Sequence, residues 1–119
     1  VPYFINSSPH LLNVIGKDMI KGLTISAPGF YAPQGRVLRL PLNDSGLNDK
    51  IASFKFNNKR ITNFEMESSA IYGLSKLLGH NAVTVCNIIA NRVRKEYSED
   101  YKKSMEILIE KILTRILDL

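Results

Sequence analysis

Asn63-Phe64-Glu65-Met66-Glu67-Ser68-Ser69-Ala70 sets two carboxylates around a methionine at the head of an otherwise apolar run. Acids in a first helical turn are favoured by the helix dipole by about 0.3–1 kcal/mol, so capping alone could account for them. A second stretch, Phe30-Tyr31-Ala32-Pro33-Gln34-Gly35-Arg36, offers an aromatic face, an amide and a guanidinium in one turn-rich loop. A Gln amide can accept from a ring N–H while donating to a ring carbonyl. An arginine can donate to an oxygen that gains negative charge as a ring departs. A carboxylate accepts hydrogen bonds from vicinal hydroxyls, and charge-assisted bonds of that kind are roughly twice as strong as neutral ones. The two stretches together describe a site for a nucleoside.

The elements that must position these residues follow from the pattern of the chain. Ser8-Pro9 gives a cap and a first-turn proline, and Leu11, Leu12, Ile15 and Met19 recur at helical spacing, so a helix is expected from about Pro9 to Ile20. Lys21-Gly22 ends it, and Leu23-Thr24-Ile25-Ser26-Ala27 is apolar and β-branched enough for a buried strand that aims the Phe30 loop. Residues 37–40 read as loop or a short edge strand, residues 48–54 as a short helix with Ile51 and Phe54 inward, and Asn57-Asn58-Lys59 as a turn. A helix opening at Glu65 or Met66 carries Ala70, Ile71, Leu74, Leu77 and Leu78 on its apolar face, with Gly79 placed for a left-handed stop. Ala82 to Ile89 is a near-continuous apolar run, the signature of a strand covered on both faces in a parallel sheet, and Asn91-Arg92 stands at its end. A long amphipathic helix from about Ser98 closes the chain. Alternating strands and helices argue for an α/β fold with parallel strands, whose ligands lie beyond the carboxyl ends of the strands.

Composition narrows the classes of function. A chain of 119 residues with 45% hydrophobic content can bury one core, and one domain is expected. No apolar run approaches the ~20 residues needed to cross a bilayer, and Val1-Pro2-Tyr3-Phe4 lacks the character of a signal peptide, so a soluble cytoplasmic protein without a membrane partner is expected. Cys86 is the single cysteine, which rules out an intramolecular disulfide, and its surroundings read as those of a buried strand thiol. Neither His10 nor His80 has a companion at metal-ligand spacing, so no metal is expected. The net charge of +5 is dispersed, and its densest group, Arg92-Val93-Arg94-Lys95, is followed at once by Glu96, Glu99 and Asp100. That cluster is too short and too compensated for a nucleic-acid backbone.

Gly29-Phe30-Tyr31 with Gln34 and Arg36, Phe64-Glu65-Met66-Glu67-Ser68, and Ile89-Ala90-Asn91-Arg92 occur in this order in uridine phosphorylases. The chain resembles the C-terminal half of that family over almost all of its length. The resemblance implies a nucleoside phosphorylase fold, a three-layer mixed or parallel sheet flanked by helices, of which residues 1–119 form the base- and ribose-binding part. It implies phosphorolysis of uridine to uracil and ribose 1-phosphate in pyrimidine salvage, with phosphate as co-substrate, no cofactor, and a homo-oligomeric complete enzyme. It assigns Arg36 and Glu67 to catalysis, Phe30, Gln34, Arg36, Asn91 and Arg92 to the base, with Phe64 beside Phe30, and Glu65, Met66 and Glu67 to the ribose.

Purine phosphorylases and nucleosidases of the same fold place an Asp where Asn91 stands, and an Asn cannot deliver a proton at neutral pH. The pyrimidine reading is therefore preferred to the purine one. The family's glycine-rich phosphate loop, with its arginines and threonine, belongs to the N-terminal half, as does a neighbouring-subunit histidine that neither His10 nor His80 matches. A start at Val1 rather than Met also has the look of a fragment. The isolated chain is accordingly expected to be inactive and to self-associate through unpaired strand edges. A non-catalytic module that binds a partner through its apolar face is the alternative from a different class.

Overall fold

In the computed structural model, which describes residues 3–119, Ser8 caps the first helix, α1 (Pro9–Val14), its hydroxyl accepting from the Leu11 N–H at 3.4 Å. The proline sits where a missing N–H leaves no bond unmade. The helix ends well before Ile20, because the Ile15 carbonyl accepts from the Arg115 guanidinium at 2.5 Å and the chain turns through Gly16. Asp18, in that turn, bridges to Lys111 and Arg115 at 2.6 Å each and clasps it to the last helix. Val1 and Pro2, the start of the stretch judged unlike a signal peptide, lie outside the described residues.

The sheet that carries the site has three strands in the order β1-β3-β2. Strand β1 (Leu23–Ser26) runs parallel to β3 (Lys59–Glu65), pairing Ile25 with Phe64 and Ser26 with Glu65, and β2 (Lys55–Phe56) pairs antiparallel with the start of β3. Asn57 and Asn58 close the β2–β3 hairpin with φ of 48° and 60°, the left-handed geometry a two-residue hairpin turn requires and asparagine tolerates. Helix α2 (Leu47–Ser53) precedes β2, and Phe54 is displayed rather than turned inward, stacking at 5.9 Å on Phe4. Residues 37–40 are loop.

Helix α3 (Ser68–Leu77) begins later than Glu65 or Met66, since pairing with Ser26 holds Glu65 in the strand. It stops before Gly79, whose φ of +73° is the expected left-handed terminus. A short hairpin, β4 (Ala90–Asn91) with β5 (Glu96–Tyr97), leads to α4 (Tyr101–Ile116), capped by the Asp100 carboxylate accepting from the Lys103 N–H at 3.0 Å.

The architecture is mixed α/β with small sheets rather than one broad parallel sheet, and the largest departure from expectation is residues 82–89. They run without turn, bend or helix, but no ladder forms on them, because none of the described strands lies in register alongside. Cys86 is therefore half-buried instead of enclosed. The same lack of cover leaves Ile71, Leu74 and Leu77 of α3, and Leu78 just after it, exposed, and among the described residues Ile15 and Ala27 are the only buried hydrophobic side chains. No helix among the described residues is long and apolar enough to cross a membrane.

Candidate functional site

Parallel pairing delivers the ends of β1 and β3 to the same edge of the sheet, which is where two of the chemistry-bearing stretches begin. After β1, the Ala27 N–H donates to the Glu65 carbonyl at 2.9 Å, and the chain enters a single tight turn over Ala32–Gln34. Gly35 follows with φ of +72°, and its carbonyl accepts from the Asn48 side-chain amide at 3.0 Å. This turn drives Gln34 inward, to 4% exposure, while Phe30 remains half exposed.

Two arginines converge on Gln34. Arg36 donates from Nη1 to the Gln34 Oε1 at 2.8 Å and to the Phe30 carbonyl, with its guanidinium 3.7 Å from the centre of the Phe30 ring. Arg92 donates to the Gln34 main-chain carbonyl at 2.5 Å and lies over Phe64 at 4.3 Å. Each cation thus rests on an aromatic face, an arrangement worth roughly 0.5–2 kcal/mol depending on desolvation. Burial, and then the positive charge of Arg36, pulls Arg92 below the ordinary arginine value. An arginine can only donate, so the contact with Arg36 fixes which end of the Gln34 amide is oxygen. That oxygen retains a second lone pair, and the amide keeps both its N–H groups, the complement to one edge of a ring carrying C=O beside N–H.

The two carboxylates have different surroundings. Glu65 is saturated: the hydroxyls of Ser26 and Ser68 donate to Oε1, and the N–H groups of Glu67 and Ser68 donate to Oε2 at 2.8 and 2.6 Å. Burial alone would raise its pKa, but these donors outweigh it and hold the carboxyl below the usual range. Ser26 also accepts from the Ser69 N–H at 3.0 Å. Glu65 therefore fixes the start of α3 to β1. Glu67, by contrast, is exposed, accepting at 3.3 Å from the Met66 N–H, and the exposed Met66 stands beside it. Its carboxylate is free to accept from hydroxyls in solution.

Asn91 is the last residue of β4, and its Oδ1 reaches into the β4–β5 turn, accepting from the N–H groups of Val93 and Arg94 at 3.1 Å each. The structure thus brings Phe30, Gln34, Arg36, Phe64 and Arg92 into one cluster, puts Glu65 to work within the fold, and leaves Glu67 and Met66 accessible at the adjoining strand end. Ser26, Ser68 and Asn48 were missed from sequence. The Ser-Ser pair after Glu67 could have flagged helix-start bonding, whereas nothing in the sequence ties Asn48 to Gly35. Among the described residues no group of three or more His, Cys, Asp or Glu side chains is placed to hold a metal ion. Two cavities lie apart from the cluster, a polar one beside Lys76 and His80 and an apolar groove against α1 and α4.

The three stretches that form this corner of the molecule fall in a chain with a recognisable relative. It is similar to a uridine phosphorylase. The relative, from Thermococcus kodakarensis, is 36% identical over 93 residues, a match that covers 73% of this chain and 31% of the relative. The chain therefore spans under a third of the length of the protein it matches. No protein-family model matches the sequence, and no solved structure matches it.

Proposed function

We propose that residues 1–119 are the C-terminal, base- and ribose-binding part of a uridine phosphorylase, cleaving uridine with phosphate to uracil and ribose 1-phosphate. The observation that carries this reading is the convergence of Arg36 and Arg92 on Gln34, each guanidinium backed by an aromatic ring. A uracil edge matches the Gln34 amide, and its ring suits the face of Phe30. Arg36 covers that face in this structure, so an entering base must slide the guanidinium to its edge, where it meets a carbonyl oxygen.

Phosphorolysis forms a bond from a phosphate oxygen to the anomeric carbon and breaks the bond to the base, whose nitrogen keeps the electron pair. The negative charge spreads onto the uracil oxygens, and Arg36 donates more strongly to that charge than to neutral uridine, which lowers the barrier rather than merely tightening binding. Glu67 accepts from the two ribose hydroxyls, Met66 packs against the sugar, and Glu65 positions both through the main chain of the α3 start. Arg92 and Asn91 complete the base edge. Phosphate, the co-substrate, is held by polypeptide outside these residues, and the complete enzyme is a homo-oligomer without a cofactor, working in pyrimidine salvage in the cytoplasm. These last properties rest on the family resemblance.

The test is a panel of uridine, thymidine, inosine and methylthioadenosine offered to the complete enzyme. Cleavage of the pyrimidine nucleosides with no cleavage of the purine ones is expected. Preference for inosine would overturn the base assignment.

A further inference from the structure

Among the described residues, the turn over 30–36 that presents Gln34 and Arg36 is hydrogen-bonded to the rest of the chain at two points. The Gln34 carbonyl accepts from Arg92 at 2.5 Å, and the Gly35 carbonyl accepts from the Asn48 side-chain amide at 3.0 Å. These carbonyls belong to consecutive peptide groups, and in each the N–H at the other edge is engaged as well. The Gly35 N–H donates to the Ala32 carbonyl at 2.9 Å, and the Arg36 N–H donates to the Tyr31 carbonyl at 3.0 Å. Two adjoining peptide planes are thus pinned at both edges.

Gly35, with φ of +72°, is the joint between those planes. A glycine restrains its own torsions least of all residues, so the direction in which the chain leaves it depends on what holds the plane on either side. Arg92 holds the plane before the joint, which carries Gln34. Asn48 holds the plane after it, from which Arg36 departs. Asn48 stands at the second position of α2, and a carbonyl can only accept, so its amide nitrogen must face Gly35. The start of α2 is set in turn by Asp44, which accepts from the Gly46 N–H at 3.0 Å and bridges to Lys50 at 2.7 Å.

We propose that Asn48 is a positioning residue for turnover: through the Gly35 carbonyl it fixes the main chain of Arg36, and so the place from which the Arg36 guanidinium reaches the departing base. The role of Arg36 at the base is taken from the uridine reading, on which this assignment rests, whereas the ties on the turn are independent of it. The two clamps divide the work. Arg92, on the Gln34 plane, governs how well the base is held, and Asn48, on the Arg36 plane, governs how fast it leaves.

Steady-state kinetics of the complete enzyme with uridine test this division. Asn48→Ala should lower kcat by roughly tenfold, the scale of one lost hydrogen bond, with uracil affinity near the parent's. Asn48→Asp, similar in size but without a donor at neutral pH, should lose as much. In an Arg36→Ala background Asn48→Ala should cost nothing further, because residues acting through one group are not additive. Lys50→Ala, which breaks the bridge to Asp44 and leaves the turn untouched, should keep full turnover. Full activity in Asn48→Asp, a multiplicative loss in the double variant, or an equal loss in Lys50→Ala would each overturn the proposal. A second arm contains no nucleoside: amide exchange in the ligand-free enzyme should quicken at Arg36 in Asn48→Ala and stay unchanged at Gly35, whose N–H lies on the plane held by Arg92. Equal exchange at Arg36 in parent and variant would overturn the clamp whatever the base. Quickened exchange in an enzyme that leaves uridine intact would support the clamp and count against the uridine reading alone.

Discussion

Arg92 donates to the main-chain carbonyl of Gln34 at 2.5 Å across 58 positions of sequence. The bond joins the loop after β1 to the β4–β5 hairpin and holds the carbonyl of the residue whose side chain Arg36 orients. A lysine could supply the charge but not the planar group that sits 4.3 Å over the centre of Phe64 while donating to the Gln34 carbonyl. Arg92→Lys should therefore weaken uracil binding by about tenfold, a loss near 1.4 kcal/mol, with little change in the binding of phosphate. Titration calorimetry on the complete enzyme checks this.

Arg36 is assigned the developing charge on the departing base, so its removal should fall on turnover. Arg36→Ala is expected to lower kcat by the order of 10²–10³, as losing an oxyanion donor does, with a smaller change in KM. Steady-state kinetics with uridine separate the two parameters.

Glu65 and Glu67 should divide by type of defect. Glu65→Gln removes the charge that four donors surround, and should lower unfolding stability by about 1.5–3 kcal/mol. Glu67→Gln, on an exposed carboxylate, should stay within about 0.5 kcal/mol of the parent in stability. Its defect should appear as weaker uridine binding with uracil binding unchanged. Denaturant unfolding and ligand titration of both variants make the comparison.

Acid should loosen the fold through two carboxylates held below their ordinary pKa. The Asp18 carboxyl is brought from 3.8 to about 2, first by hydrogen bonding from Lys111 and then from Arg115, and Glu65 is lowered by its own donors. A depressed folded pKa gives stability that is fully present above the unfolded value and lost as pH falls through the folded one. The Asp18 contribution should therefore disappear between about pH 4 and about pH 2. Asp18→Asn should flatten that limb of the stability profile, measured by unfolding at a series of pH values.

Gly35 combines a φ of +72° with a carbonyl held by Asn48, and an added Cβ would meet the Asn48 Oδ1 at 2.1 Å. A left-handed conformation costs a residue with a side chain about 1–2 kcal/mol before any clash. Gly35→Ala should destabilise by at least that amount and displace Gln34, so that uracil affinity falls with stability. Thermal unfolding and base titration on one preparation check both.

What could be read from sequence was whatever depends on local spacing. Ser8-Pro9, Asn57-Asn58 and Gly79 each set their turn or terminus by backbone geometry that neighbouring residues enforce. Phe30, Gln34 and Arg36 were legible because one turn brings them together. The Glu65 bonds to Ser26 and the Arg92 bond to Gln34 depend on strand register and on a distant hairpin, which no local pattern reveals. Residues 82–89 had the composition of an interior strand, but a ladder needs a second strand in register, and composition does not supply one. The apolar face of α3 shows the same gap between pattern and cover.

The central claim is that this corner of the molecule recognises a pyrimidine nucleoside as its base leaves with negative charge. The most direct measurement is uracil release from uridine, with and without phosphate, by the 119-residue chain alone and by the chain co-expressed with the unmatched remainder of the Thermococcus relative. Phosphate-dependent release by the completed protein, lost in its Arg36→Ala variant and absent from the chain alone, is expected. A folded, completed protein that leaves uridine intact, or whose activity survives Arg36→Ala, would contradict the account.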